Sequence, residues 1–351
     1  MKKGSKRASG AFLNYGIVIV FYIVFQILSS TGHLSSSFSG QLIPICTYVI
    51  MALSLNLVVG FSGELSLGHA GFMSVGAFSG VIASVALQNY VTVSSVRLFL
   101  AILVGAAIAA IAGIVIGVPV LRLQGDYLAI VTLAFGEIIK NILNCLYVAV
   151  DKNGLHFSMT DATSMNLEPE NVVILNGPMG ALGVKKISTF LSGIILILVV
   201  LFIIQNLVNS RSGRAIAGIR DNRIAAEACG IQITKYKMMA FVTSAAMAGS
   251  AGALYALNFS TVVPKKFDFN TSILILVFVV LGGIGNLRGS IIAAAILTVL
   301  PELLRQFQDY RMLVYAIVLI MVMLITNNEK AQALRQRFIK TLFKNKKKEA
   351  V

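Results

Sequence analysis

Few residues in this chain have the types and spacing that chemistry needs. Ser66 and His69 stand three residues apart in GFSGELSLGHAGF, 60–72, and a serine beside a histidine is the beginning of a nucleophile–base pair. No acid is placed to orient the histidine, and the serine lacks the elbow context that exposes a nucleophile. Hydrolase chemistry is therefore set aside. Cys46, Cys145 and Cys229 are widely spaced, and His33, His69 and His156 are isolated. Without an HExxH, a CxxC or clustered carboxylates, they make neither a metal set nor a disulfide framework. No GxxxxGKS/T sequence offers a cradle for nucleotide phosphates.

What surrounds these residues is hydrocarbon. Of 351 residues 57% are hydrophobic and 12% charged, where a soluble domain carries about 25% charged. Mean hydropathy is +0.85. No Lys, Arg, Asp or Glu interrupts the intervals Arg7–Glu64, Glu64–Arg97, Arg97–Arg122, Arg288–Glu302 or Arg311–Glu329. Buried helices of a soluble protein would need polar outer faces that these windows lack. The chain reads as an all-α polytopic transmembrane helical bundle, with helices expected near 12–30, 41–60, 70–88, 96–118, 127–149, 187–208, 237–258, 270–285, 290–304 and 311–326. That is about ten spans, or about eight if the shorter runs do not cross. The basic start is read as the flank of an uncleaved first span.

The net charge of +15 does not mark a nucleic-acid binder, because its residues fall between or beyond the apolar runs. Four basic residues lie in 1–7, six in 211–237 and eight after Thr326, the distribution the positive-inside rule produces. Ten crossings put both termini and the 211–237 insert in the cytoplasm. They leave the mixed-charge stretch 151–186 as an external loop, and 327–351 as a basic cytoplasmic tail beyond a 1–326 membrane domain.

Within that frame the polar or flexible residues Ser66, Gly68, His69, Thr132, Glu137, Asn141, Gly283 and Asn286 stand out, since such positions in a span mark paths or relays. A plainer reading stands beside it: Glu137 and Lys140 pair on one turn, and His69 stays neutral with a bond to a backbone carbonyl. Glycines break the helical pattern at 60–72, 120–144 and 280–290, and Gly60, Gly63 and Gly68 find a loose echo in Gly282, Gly285 and Gly289. Broken helices persist in a membrane only where protein or a water-filled path satisfies their backbone. The insert RSGRAIAGIRDNRIAAEACGIQITKYK places Ile216, Ile219 and Ile224 at about 0°, 300° and 80° of a helix, with Arg220 inside that apolar arc. Two short helices fit better than one, broken near Asp221–Asn222 and ended by Gly230. The insert serves equally as a rigid knob for a partner or as an ordinary basic loop.

A family resemblance bears on that choice. From about residue 40 to 326 the chain resembles the M-type inner-membrane permeases of bacterial ABC importers for branched-chain and other hydrophobic amino acids. It is carried by GFSGELSLGHAGFMSVGAF (60–78), LRLQGDYLAIVTLAFGEIIKNIL (121–143), RSGRAIAGIRDNRIAAEACGIQITKYKMMAF (211–241), SAAMAGSAGALYA (244–256), SILILVFVVLGGIGNLRGS (272–290) and PELLR (301–305). The resemblance implies a transport subunit that is no enzyme. Beside it would stand a second homologous permease, two ATPase subunits at the cytoplasmic face and an extracytoplasmic binding protein that delivers a hydrophobic amino acid. No cofactor is implied on this chain; ATP and Mg2+ would be held by the partners. The resemblance also implies that Arg214, Gly218, Arg220, Asp221, Ala225, Glu227 and Gly230 dock the insert on the ATPases. Permeases of the same superfamily for urea, another amide or a sugar, and an ATP-independent carrier, remain as alternatives. Two departures stand out. Glu64 replaces a commoner Gln, its charge either solvated or paired with Arg122 or Arg288, and DKNGLHFSM (151–159) replaces a Gly-rich element.

Overall fold

The computed structural model of the chain describes residues 2–31, 36–88, 90–122, 126–151, 154–160 and 172–304, together with Tyr310, Leu313, Ala316, Ile317 and Ile320. Most of the span expected at 311–326, the middle of the 151–186 loop and the whole tail 327–351 lie outside the described residues. The chain divides into two compact units, 1–295 and 296–351. In the second, the last turns of one helix run to Leu303.

The described helices all begin in the first unit, most of them where the apolar runs predict them. They are α1 (Lys2–Ser30), α2 (Ser36–Asn56), α3 (His69–Ala86), α4 (Ser94–Val120), α5 (Asp126–Asn144), α6 (Phe190–Asn209), α7 (Arg211–Asp221), α8 (Arg223–Ala228), α9 (Ile233–Ala256), α10 (Phe269–Gly282) and α11 (Leu287–Leu303). Among the described residues six are long and apolar enough to cross a membrane, counting α2 with the π-helical segment Leu57–Ser62 that prolongs it. α10 and α11, at 14 and 17 residues, fall short of or only reach the roughly 17 residues a span requires.

Helices α3, α4 and α9 pack on one another and α2 packs on α9. Their contact faces are glycine and alanine, because no hydrophobic drive separates helix from lipid and close backbone approach must supply the attraction. A Cβ on Gly76 would sit 2.1 Å from the Gly249 carbonyl, and one on Gly249 2.3 Å from the Ala109 Cβ. Outward faces are apolar: Phe99, Ile111, Val115 and Phe202 are exposed, as lipid-facing residues are.

One expected element is corrected. The helix predicted over 127–149 stops at Asn144, and Tyr147–Asp151 is strand β1. It pairs antiparallel with β2 (Gly154–Ser158) and β3 (Val172–Asn176), in the order β2-β1-β3. Val148 and Val150 favour a pleated surface, and their pairing partners lie in the segment read from sequence only as a loop. Ala181 bridges to Val262, so the sheet and the α9–α10 connection cap the same end of the bundle. The α7–α8 insert lies at the other end of α6, a helix about 30 Å long.

Candidate functional site

The insert folds as two capped helices. Ser210 Oγ accepts the Gly213 amide at 3.1 Å and starts α7; Asn222 Oδ1 accepts the Ala225 amide at 3.0 Å and starts α8. Each cap satisfies one of the amides that a helix start leaves open. Gly230 follows with φ +78°, a left-handed conformation suited to glycine. α7 buries Gly213, Ile216 and Ile219, whereas α8 buries Ala226 alone. Ile224 is 81% exposed, as the expected break near Asp221–Asn222 allows: α8 need not continue the face that α7 buries. Arg214, Ala225, Glu227 and Gly230 are exposed with it, and Gly218 has open space around its Cα.

Arg220 looks inward. Its Nη1 donates to the Gly60 carbonyl at 2.8 Å, while Nε and Nη2 both donate to Asp221 Oδ1 at 3.1 and 2.9 Å. Gly60 lies in the π-helical segment, whose end leaves carbonyls without helical donors, and a guanidinium there also meets the negative end of the helix dipole. The next residue on the path, Gly63, has φ +75°, and a Cβ on it would lie 2.6 Å from Arg220 Cγ. Glu64 pairs with Lys237 in the first turns of α9, and both side chains are largely buried. Neither Arg122 nor Arg288, expected from sequence, is the partner; Arg122 is exposed and Arg288 donates to Asn14 Oδ1 at 2.7 Å.

The loop and the start of α3 are tied to three helices. Thr132 Oγ1 on α5 accepts the Leu67 amide at 3.0 Å and donates to the Ala129 carbonyl. A Cβ on Gly68 would fall 2.3 Å from the Thr132 carbonyl oxygen. Ser272 Oγ on α10 accepts the Ala70 amide at 3.2 Å. Ser244 Oγ on α9 donates its one proton to the Ser54 carbonyl at 2.5 Å, so it accepts from His69 Nε2 at 2.9 Å. The neutral imidazole therefore carries its proton on Nε2, and Nδ1 is a bare acceptor. Nδ1 and Ser66 Oγ are buried without hydrogen-bond partners.

Of the sequence-selected set, Ser66, Gly68, His69 and Thr132 thus come together in packed contact. Glu137 and Asn141 do not join them: Glu137 pairs with Lys140 and Asn141 is exposed, so α5 carries a polar stripe on an uncovered face. Gly283, with φ +91°, and Asn286 form the turn between α10 and α11. That turn meets the π segment, and the two glycine-broken places that echo each other in sequence touch: a Cβ on Gly60 would lie 2.4 Å from the Gly285 amide nitrogen. Sequence reading missed Asn56, Ser244, Lys237 and Ser290, whose roles depend on partners more than 170 residues away. Among the described residues no group of three metal-ligating side chains occurs.

Glycine-packed spans, two broken helices in contact and a capped polar pair of helices hooked onto one of them define a multi-pass membrane protein. Residues 37–323 match the family described as branched-chain amino acid transport system / permease component, and the chain belongs to that family. It is 36% identical over 287 residues to the high-affinity branched-chain amino acid transport system permease protein LivM of Salmonella typhimurium, and equally to that of Escherichia coli. Each alignment covers 79% of this chain and 66% of the relative, so the chain spans about two thirds of their length. The fructose import permease protein FruG of Bifidobacterium longum is 30% identical over 131 residues, 35% of this chain and 38% of that one. No solved structure matches.

Proposed function

We propose that the chain is the membrane-spanning permease of an ATP-driven importer for branched-chain amino acids in a bacterial cytoplasmic membrane. It pairs with a second, homologous permease; two ATPase subunits carry ATP and Mg2+ below, and a binding protein delivers substrate from outside. The observation that carries this is the α7–α8 knob: a rigid, capped pair of helices with Ile224 and Glu227 outward and Arg220 hooked onto a broken span. It fits an element that receives a partner's movement and hands it to the bundle. The names of the LivM relatives support the substrate class.

With the knob and both termini inside, following the basic blocks, the sheet lies outside. Lys185, Lys186, Lys265 and Lys266 are exposed there, beside exposed Phe157, Met159 and Met179. Lysines against the positive-inside trend fit an acidic docking partner such as the binding protein. The α5 stripe of Glu137, Lys140 and Asn141 faces the second permease, because an ion pair on an uncovered span avoids lipid, and the path runs along it.

Affinity purification of the chain from native membranes tests this reading. A second permease and an ATPase should co-purify, and Arg223→Glu with Ile224→Asp should release the ATPase. ATP-dependent uptake of radiolabelled leucine into vesicles should compete with isoleucine and valine. Competition by fructose alone, the alternative that the FruG likeness favours, overturns the substrate, and uptake without an ATPase overturns the mechanism.

A further inference from the structure

Hydrogen bonds tie both the knob and the α10–α11 turn to the π-helical segment and its junction with α2, and a residue with no assigned role stands at that junction. Asn56 is fully buried at the junction of α2 with the π segment. Its Oδ1 accepts the Gly285 amide at 2.8 Å, and its Nδ2 donates to Ser290 Oγ at 2.8 Å. Ser290 Oγ donates in turn to the Asn286 carbonyl at 3.2 Å, and the Asn286 amide to the Gly283 carbonyl at 3.0 Å. One carboxamide therefore holds the turn, whose two glycines have φ +91° and +79°, together with the first turn of the helix that follows it. Ile284 at its tip is 59% exposed. One turn further along the same segment, the Gly60 carbonyl takes the Arg220 guanidinium from the knob.

We infer that Asn56 is a positioning residue for transport, the joint through which the knob's Arg220 sets the position of the Gly283–Asn286 turn. This rests on the proposed importer reading and assigns the moving element within it. A π segment carries about one residue more per turn than an α-helix and is frequent at functional sites. Neither glycine places a side chain of its own where Gly60 meets Gly285: a Cβ on Gly60 would lie 2.0 Å from Asn56 Oδ1 and 2.4 Å from the Gly285 nitrogen. A displacement of Arg220 must therefore pass to the turn as a movement of backbone against backbone, and Asn56 keeps the two backbones in register. Coupling needs such a discrete element, whose position both ends can bias.

The test uses the whole complex in proteoliposomes, with leucine-loaded binding protein, and reads leucine taken up per ATP hydrolysed. Asn56→Ala should keep the ATPase bound and hydrolysing, while uptake per ATP falls about ten-fold, within the 5–150-fold range of ordinary coupling. A second readout follows the turn itself: Ile284→Cys, with Cys145→Ser and Cys229→Ser, labelled by a thiol reagent with and without ATP. Nucleotide should change labelling when Asn56 is present and leave it unchanged in Asn56→Ala. Should Asn56→Ala fail to accumulate, Ser290→Ala removes only the far hydroxyl and should lower the same ratio by a few-fold. A ratio equal to wild type in the variant that accumulates, or nucleotide-dependent labelling that survives the loss of Asn56, overturns the assignment. A wild-type complex that fails to import leucine instead overturns the importer reading, which separates the two failures.

Discussion

Gly252→Val is expected to remove the folded chain from the membrane almost completely. A Cβ at this position would lie 1.9 Å from the Met73 carbonyl oxygen and 2.9 Å from the Ala77 amide nitrogen. Those atoms are helix backbone, so no rotamer change can make room. α9 would have to move off α3, and with it Gly249, whose Cα faces Ala109 and the Gly105 carbonyl on α4. Overpacking a core by flexible side chains costs about 1–3 kcal/mol, and a backbone clash at a three-helix junction exceeds that. At about 2–4 °C per kcal/mol for a large domain, a surviving fraction should melt at least about 10 °C lower. Size-exclusion chromatography of a fluorescent fusion, with a melting series, reads both quantities. Gly40→Ala is the control, because nothing lies within 4 Å of the Cβ it would add, and it should melt like wild type. Equal melting of Gly252→Val and Gly40→Ala would mean that α3 and α9 are not in backbone contact.

The same glycines explain how much could be read in advance. Helix positions follow from long apolar runs, and the two-helix insert follows from its isoleucine angles and Gly230, because both signals are local. The strand at Tyr147–Asp151 did not emerge, since CLYVAV is apolar without a period and its partner β3 begins 21 residues beyond β1. The glycine echo was visible as spacing, but that Gly60 rests on Gly285 is a fact of packing. Polar residues inside spans were found, and the hydrogen bonds they make were not. Thr132 and His69 drew notice as ionisable or polar outliers, yet the structure uses both to bind neighbouring helices. Asn56 and Ser244 drew none, because a lone polar residue in an apolar run carries no period.

Charge exchange at the Glu64–Lys237 pair is expected to produce the second large effect. Both side chains are nearly buried, at 13% and 11% exposure, and they join the loop after the π segment to the start of α9. Removing one member leaves the other charge without compensation, which typically costs about 3–5 kcal/mol at a buried pair. Glu64→Ala and Lys237→Ala should therefore each lower the melting temperature by on the order of 10 °C. Glu64→Lys should lose more, since two ammonium groups would face each other at contact distance. Reversing the pair, Glu64→Lys with Lys237→Glu, restores attraction and should recover most of the loss, with an interaction energy of up to about 3 kcal/mol in the double-mutant cycle. The recovery will be incomplete, because Lys237 stands on α9 and Glu64 on a loop whose shape is fixed by Gly63 and Arg220, so the longer side chain enters from the less forgiving side. Additive losses in the reversed protein would show that the two charges are solvated separately. Restored stability without restored leucine uptake would instead assign the pair a place in the movement itself, because the loop it clamps lies between the knob's hook on Gly60 and the buried start of α3.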